Sequence, residues 1–133
     1  MTTYHSRGLA RILNLDAATC AAMGMLLLLA AGPIAGITAI PVMVLFWAGA
    51  LLIPIAVYMA LVARAGTASA LAVWLVILGN LGWIAASLAL FGLIAPNGTG
   101  TALILAQALV VGVLAWLEFR AWRDVSSRNH ATA

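Results

Sequence analysis

Charge is what this sequence has least of. Its 133 residues include three acids, six arginines and no lysine, so 7% of the chain is charged. A water-soluble domain carries about 25%. That shortfall excludes an aqueous surface and leaves lipid as the main solvent. Cysteine is nearly absent too, and the single Cys20 excludes an internal disulfide. The only histidines, His5 and His130, lie in the polar ends. Histidine ligation of haem and a histidine proton relay inside the membrane are therefore unsupported. No Gly-rich phosphate loop, no metal-spaced cluster and no nucleophile–base pair can be found. We accordingly expect no enzyme, no cofactor and no metal.

What the chain does have is apolar length: 66% of it is hydrophobic, and its mean hydropathy is +1.19. Four runs reach span length, at about residues 17–37, 42–63, 70–94 and 101–119. The expected fold is all-α, a polytopic membrane protein with four transmembrane helices in an up-down bundle of two hairpins. Residues 1–15 read as an N-terminal arm, 16–124 as the transmembrane domain and 125–133 as a polar tail. Asn14 or Asp16 is a candidate cap for the first helix, its carboxyl or amide suiting the positive end of the helix dipole. A cleaved signal peptide is the competing reading of this run, but a signal's apolar core is shorter than a span. Gly32-Pro33 and Pro41 bracket the first turn, and Pro41 suits the start of a new helix. Pro54 lies inside the second span, where it removes an N–H from the carbonyl of Ala50. Ala95-Pro96-Asn97-Gly98 is the clearest turn.

All six arginines, Arg7, Arg11, Arg64, Arg120, Arg123 and Arg128, fall at the ends or in the second connection. The first and third connections have no charge. By the positive-inside rule both termini are cytoplasmic. The arginines form no stripe, so the pI near 10 reports topology and not a nucleic-acid partner. Asp16 and Glu118 fall at span ends, near the cytoplasmic interface, so no carboxylate is expected at mid-membrane. That argues against proton-coupled export, which needs a buried acid.

Helical periodicity sorts the remaining positions. Gly24, Gly49, Gly79, Gly82, Ala86 and Gly112 lie on small-residue faces, which in lipid are expected at helix contacts. Leu81 and Leu109 are expected to face lipid. Asn80, Gln107 and Ser87 are candidate polar contacts inside the membrane, either gluing helices or lining a path. Ser87 and Thr19 can return their hydroxyls to a carbonyl of their own helix. Glu118 is expected to pair with Arg64 across helices, because a carboxylate at that depth is costly alone and an arginine fork suits it.

Leu15-Asp16, Gly32-Pro33, Gly79-Asn80 with Trp83, Gln107-Ala108 and Leu117-Glu118 resemble the pattern of small bacterial four-helix inner-membrane proteins with no assigned activity. The likeness covers most of residues 9–123. It implies the fold and a bacterial inner membrane, multi-pass, and no activity. The expected function is that of an accessory, assembly or self-associating membrane module without catalytic chemistry. The alternative is a small oligomeric transporter or channel with Asn80 and Gln107 along the path. Expected partners are the lipid bilayer and a homo-oligomer or larger membrane complex.

Overall fold

The computed structural model describes residues 3–4 and 6–132. His5 lies outside the described residues. The described residues are helical apart from short connections and one ladder of two-residue strands. Helix α1 (Arg7–Leu29) starts well before the expected residue, because Ser6 is an efficient cap: its Oγ accepts from the Leu9 N–H at 3.3 Å. Leu9, Leu13, Asp16, Cys20, Gly24 and Leu27 form one buried stripe at helical spacing. The supposed arm is therefore helix from Arg7 onward. Its two arginines stay exposed while Leu9 and Leu13 pack inward.

A break at Ala30 separates α1 from α2 (Ala31–Thr38). Pro33 sits in the first turn of α2, where its missing N–H costs nothing, so it bends the chain without ending the helix. The turn comes later, at Ala39, whose φ of 55° is left-handed. Pro41 then caps α3 (Val42–Arg64), which contains Pro54. Strand β1 (Thr3–Tyr4) pairs antiparallel with β2 (Ala68–Ser69), tying the start of the chain to the α3–α4 connection. Ser69 caps α4 (Ala70–Ala89) at 3.2 Å, and a single 3₁₀ turn extends it over Leu90–Gly92.

Asn97 caps α5 (Gly98–Ala131) through the Gly100 N–H at 2.9 Å. Its backbone N–H and side-chain Nδ2 donate to Thr38 and Ile37 carbonyls, at 3.1 and 2.9 Å. These bonds fasten the start of α5 to the end of α2, where Gly100 lies so close to the Thr38 carbonyl that no Cβ fits. The 34 residues of α5 make about 51 Å of helix at 1.5 Å per residue. That exceeds a hydrocarbon core of about 30 Å. The expected C-terminal tail is thus helix as far as Ala131. Arg128 and His130 in its last turn complement the negative end of the dipole.

Among the described residues four helices are long and apolar enough to cross a membrane: α1, α3, α4 with its 3₁₀ turn, and α5. Large apolar side chains, Leu81 and Leu109 among them, cover much of the outside, as a lipid-solvated surface requires. The packing is uneven. Helix α1 lies closest to α3 and also meets α5; α4 packs mainly on α5; α3 and α4 barely touch. At the α1–α3 crossing a Cβ on Gly49 would stand 2.8 Å from the Gly24 carbonyl oxygen, and one on Gly24 3.1 Å from that of Gly49. A Cβ on Gly112 would make only ordinary contact, 3.6 Å from Ile84 Cδ1.

The face assignment fails on α4. Gly79, Gly82 and Ala86 are exposed, and a Cβ on either glycine meets nothing within 4 Å. The buried face holds Val73, Val76, Ile77, Asn80 and Ser87. An amide or hydroxyl facing hydrocarbon costs more than a helix contact between small residues returns. The polar residues therefore decided which way α4 turned. We predict that Gly49→Leu lowers stability in detergent by at least the usual overpacking cost of about 1–3 kcal/mol. Gly82→Leu should leave the thermal midpoint of the monomer near that of the parent.

Candidate functional site

Three helices bring polar groups to one point in the interior. Asp16 is on α1, Asn80 at the midpoint of α4, and Glu118 on α5. Asp16 and Glu118 are 0% exposed and Asn80 is 5% exposed. One nitrogen joins them: Asn80 Nδ2 donates to Asp16 Oδ2 at 2.7 Å and to Glu118 Oε2 at 3.1 Å. Cys20 Sγ, one turn beyond Asp16, donates to Asp16 Oδ1 at 3.6 Å. Glu118 Oε1 is buried and has no partner among the described residues. Asn80 Oδ1 likewise receives no donor among them.

The placement of these acids corrects two expectations. Asp16 is a mid-helix residue and not a cap, because α1 starts at Arg7. Glu118 reaches the level of Asn80 because α5 runs on past it for three further turns. Both carboxyls therefore lie inside the bundle and not at its rim. The expected Glu118–Arg64 pair does not form. Arg64 is exposed at the end of α3, and Glu118 is turned to Asn80. The arginines nearest Glu118 in sequence lean on aromatic rings instead. The Arg120 guanidinium lies 4.8 Å from the Trp116 ring centre, and that of Arg123 lies 6.0 Å from Phe119. No ion pair offsets the carboxyls among the described residues. Two carboxylates on one amide, away from water, repel each other and are poorly solvated. The arrangement is stable only with a proton or a cation in company.

A second polar node lies one turn further along α4. Trp83 Nε1 donates to Gln107 Oε1 at 2.7 Å, and Gln107 Nε2 donates to Ser87 Oγ at 2.7 Å. Ser87 Oγ closes the ring by donating to the Trp83 carbonyl at 2.8 Å. Asn80, Trp83 and Ser87 thus make one polar stripe on α4, at i, i+3 and i+7. Gln107 belongs to this node and does not touch Asn80. On the other side of the pair, Trp74 packs on Trp122 and Phe119, with ring centres 5.2 and 6.1 Å apart.

Two clefts flank the site. One, of about 280 Å³, lies between α3 and α4 where those helices fail to meet, with Pro54, Tyr58 and Leu75 on its walls and Asn80 and Cys20 among its lining. The other, of about 250 Å³, lies between α1 and α5 and reaches Asp16, Cys20 and Gln107. Leu52, Trp83 and Val111 line both, as does Cys20, so a thin partition divides them. Asn80 and Gln107 open on different clefts, and both clefts are mostly apolar. They do not line one continuous polar path.

Among the described residues no cluster of three or more His, Cys, Asp or Glu fits a metal ion. The fold and site together define a helical, multi-pass type of membrane protein with a carboxyl pair inside its bundle. No family model, no curated protein and no solved structure matches the chain.

Asn80, Gln107 and Ser87 were legible in the sequence as amides and a hydroxyl inside apolar runs. Asp16 and Cys20 were missed as site residues. Their signal was the stripe from Leu9 through Leu13 to Leu27, which carries both inward. We predict that Asn80→Leu destabilises the protein by about 1–3 kcal/mol, since it leaves buried carboxyl oxygens without a donor. Adding Glu118→Gln should recover part of the loss, because the new amide offers an N–H to Asp16. Thermal unfolding of both variants in detergent measures it. A cycle of Trp83→Phe and Gln107→Leu should give a coupling of about 0.6–1.7 kcal/mol.

Proposed function

We propose that this chain is a multi-pass protein of a bacterial inner membrane, an up-down four-helix bundle with both termini cytoplasmic, acting as a small proton-linked carrier. The Asp16–Asn80–Glu118 cluster is its working part. One observation carries the reading: two fully buried carboxyls share a single amide donor, and Glu118 Oε1 has no hydrogen-bond partner among the described residues. A cluster that served only to join helices would be better built from neutral groups, since replacing buried ions by apolar packing is often neutral or stabilising. Intramembrane acids are costly, and their usual use is in ion and proton pathways. The two apolar clefts, separated by a few side chains, support a carrier over an open channel. The arginine distribution supports the orientation.

A second reading is the accessory or self-associating module. The exposed Gly79, Gly82 and Ala86 on α4 favour it, because small residues allow close helix approach in lipid. On that reading Gly82→Leu abolishes chemical cross-linking between copies in membranes.

The carrier reading is tested by carbodiimide labelling in native membranes. A lipophilic carbodiimide adds to a protonated carboxyl in an apolar setting. It should modify Glu118 or Asp16, read as an adduct by mass spectrometry, while a water-soluble carbodiimide should not. Absence of the adduct, or equal labelling by both reagents, overturns a protonated interior pair. Reporter fusions at Asn97 and Ala133 should give opposite signals, and equal signals would overturn the four-span topology.

A further inference from the structure

The geometry points to a ligand class for the cleft between α3 and α4: a small apolar amine in its protonated form, taken up in exchange for the proton of the Asp16–Glu118 pair. This rests on the carrier reading above. The first ground is the unpaired end of Asn80. Its Nδ2 is committed to the two carboxyls, and its Oδ1 has no donor among the described residues. Asn80 is 95% buried, being 5% exposed, and it lines the cleft. A ligand entering there meets the Asn80 amide and the Tyr58 hydroxyl as acceptors, so a ligand that brings an N–H or O–H donor is favoured.

The second ground is charge. Behind that amide stand two carboxyls, and no arginine pairs with either among the described residues. The groups facing the pair are Cys20 and Asp16 from α1, Asn80 from α4 and Glu118 from α5. The titratable groups of α3 are Tyr58, whose hydroxyl donates to the Ala72 carbonyl at 3.4 Å, and Arg64, exposed at its end. Neither carboxyl lines this cleft, and both stand one hydrogen bond behind Asn80; negative charge placed there, with no fixed cation among the described residues, selects a cation over an anion. A neutral ligand would leave the pair as it is.

The third ground is the wall. Pro54, Ile55, Tyr58, Leu75 and Trp83 give an apolar, partly aromatic lining. Aromatic faces attract ammonium groups, and an apolar wall rejects a hydrated metal ion, which keeps its water. A cleft of about 280 Å³ is at the lower bound of ordinary ligand sites, about 300–1,000 Å³, so the ligand is small, with a single ring or a short chain. The exchange balances in charge: one ammonium enters, one proton leaves a carboxyl, and the net charge of the interior is unchanged.

The test uses the full-length protein in detergent with three matched probes: 4-phenylbutylamine, its trimethylammonium analogue and 4-phenylbutanol. Binding is followed by tryptophan fluorescence, and proton release by a pH dye in weakly buffered solution. The primary amine should bind with proton release and slow carbodiimide labelling of the pair. The quaternary analogue, lacking an N–H for Asn80, should bind about tenfold or more weakly. The alcohol should release no proton. Glu118→Gln, the conservative variant, should abolish proton release while remaining monodisperse. Wild-type protein alone still decides the matter if that variant fails to fold. Amine and alcohol binding alike, or amine binding without proton release, overturns the inference and leaves the carrier reading standing if the carbodiimide adduct forms. Neither amine binding nor adduct overturns both.

Discussion

One hydrogen-bond donor group holds the interior together. Asn80 Nδ2 serves two carboxyls from two other helices, and the Asp16 and Glu118 carboxyls stand within hydrogen-bonding reach of each other. In water this would be a weak arrangement. In hydrocarbon each carboxyl oxygen left unmet is expensive, so α1, α4 and α5 are constrained to present these side chains to one another. The rotation of α4 follows. Its Gly–Ala face is left outward because the neighbouring face, which carries Asn80 and Ser87, is the one turned inward.

The rest of the bundle fits around that constraint. Helix α3 contributes no polar group to the cluster and is held to α1 through the Gly24–Gly49 approach. It leans away from α4, and the cleft beside Asn80 is the consequence. Trp83 is placed where both polar nodes and both clefts meet. Its indole N–H is bound to Gln107 and its ring forms part of the partition. A change at Gln107 therefore alters the partition as well as a bond. The same geometry that fixes the helices leaves one acceptor on Asn80 and one on Glu118 unmet among the described residues, so structural and functional readings draw on the same few atoms.

Much of this was legible in the sequence. Composition and the apolar runs gave the helical class and close bounds for α3 and α4. Asn80, Gln107 and Ser87 announced themselves by being polar where nothing else was. Ser87 and Thr19 do return their hydroxyls to carbonyls four residues back, and Gly24 and Gly49 do mark a close crossing. The acids were misplaced for a definite reason. Arg7 and Arg11 read as an interfacial arm, yet a long arginine can keep its head outside while its backbone is helical. Starting α1 near residue 16 put Asp16 at an end. Ending the fourth span at residue 119 did the same to Glu118. Once both were assigned to a rim, an arginine partner was the natural expectation. The register of α4 was lost because two periodic signals, small residues and polar residues, lie on neighbouring faces of one helix. Sequence shows both but does not weigh them.

The most direct test of the central claim is proximity in the membrane. With Cys20→Ala as background, the pair Asp16→Cys and Glu118→Cys should be joined by a short, membrane-permeant thiol cross-linker within one chain. The pair Arg64→Cys and Glu118→Cys should not be. Cross-linking of the arginine position in place of the aspartate position would contradict the interior carboxyl pair, and with it the role given to Asn80.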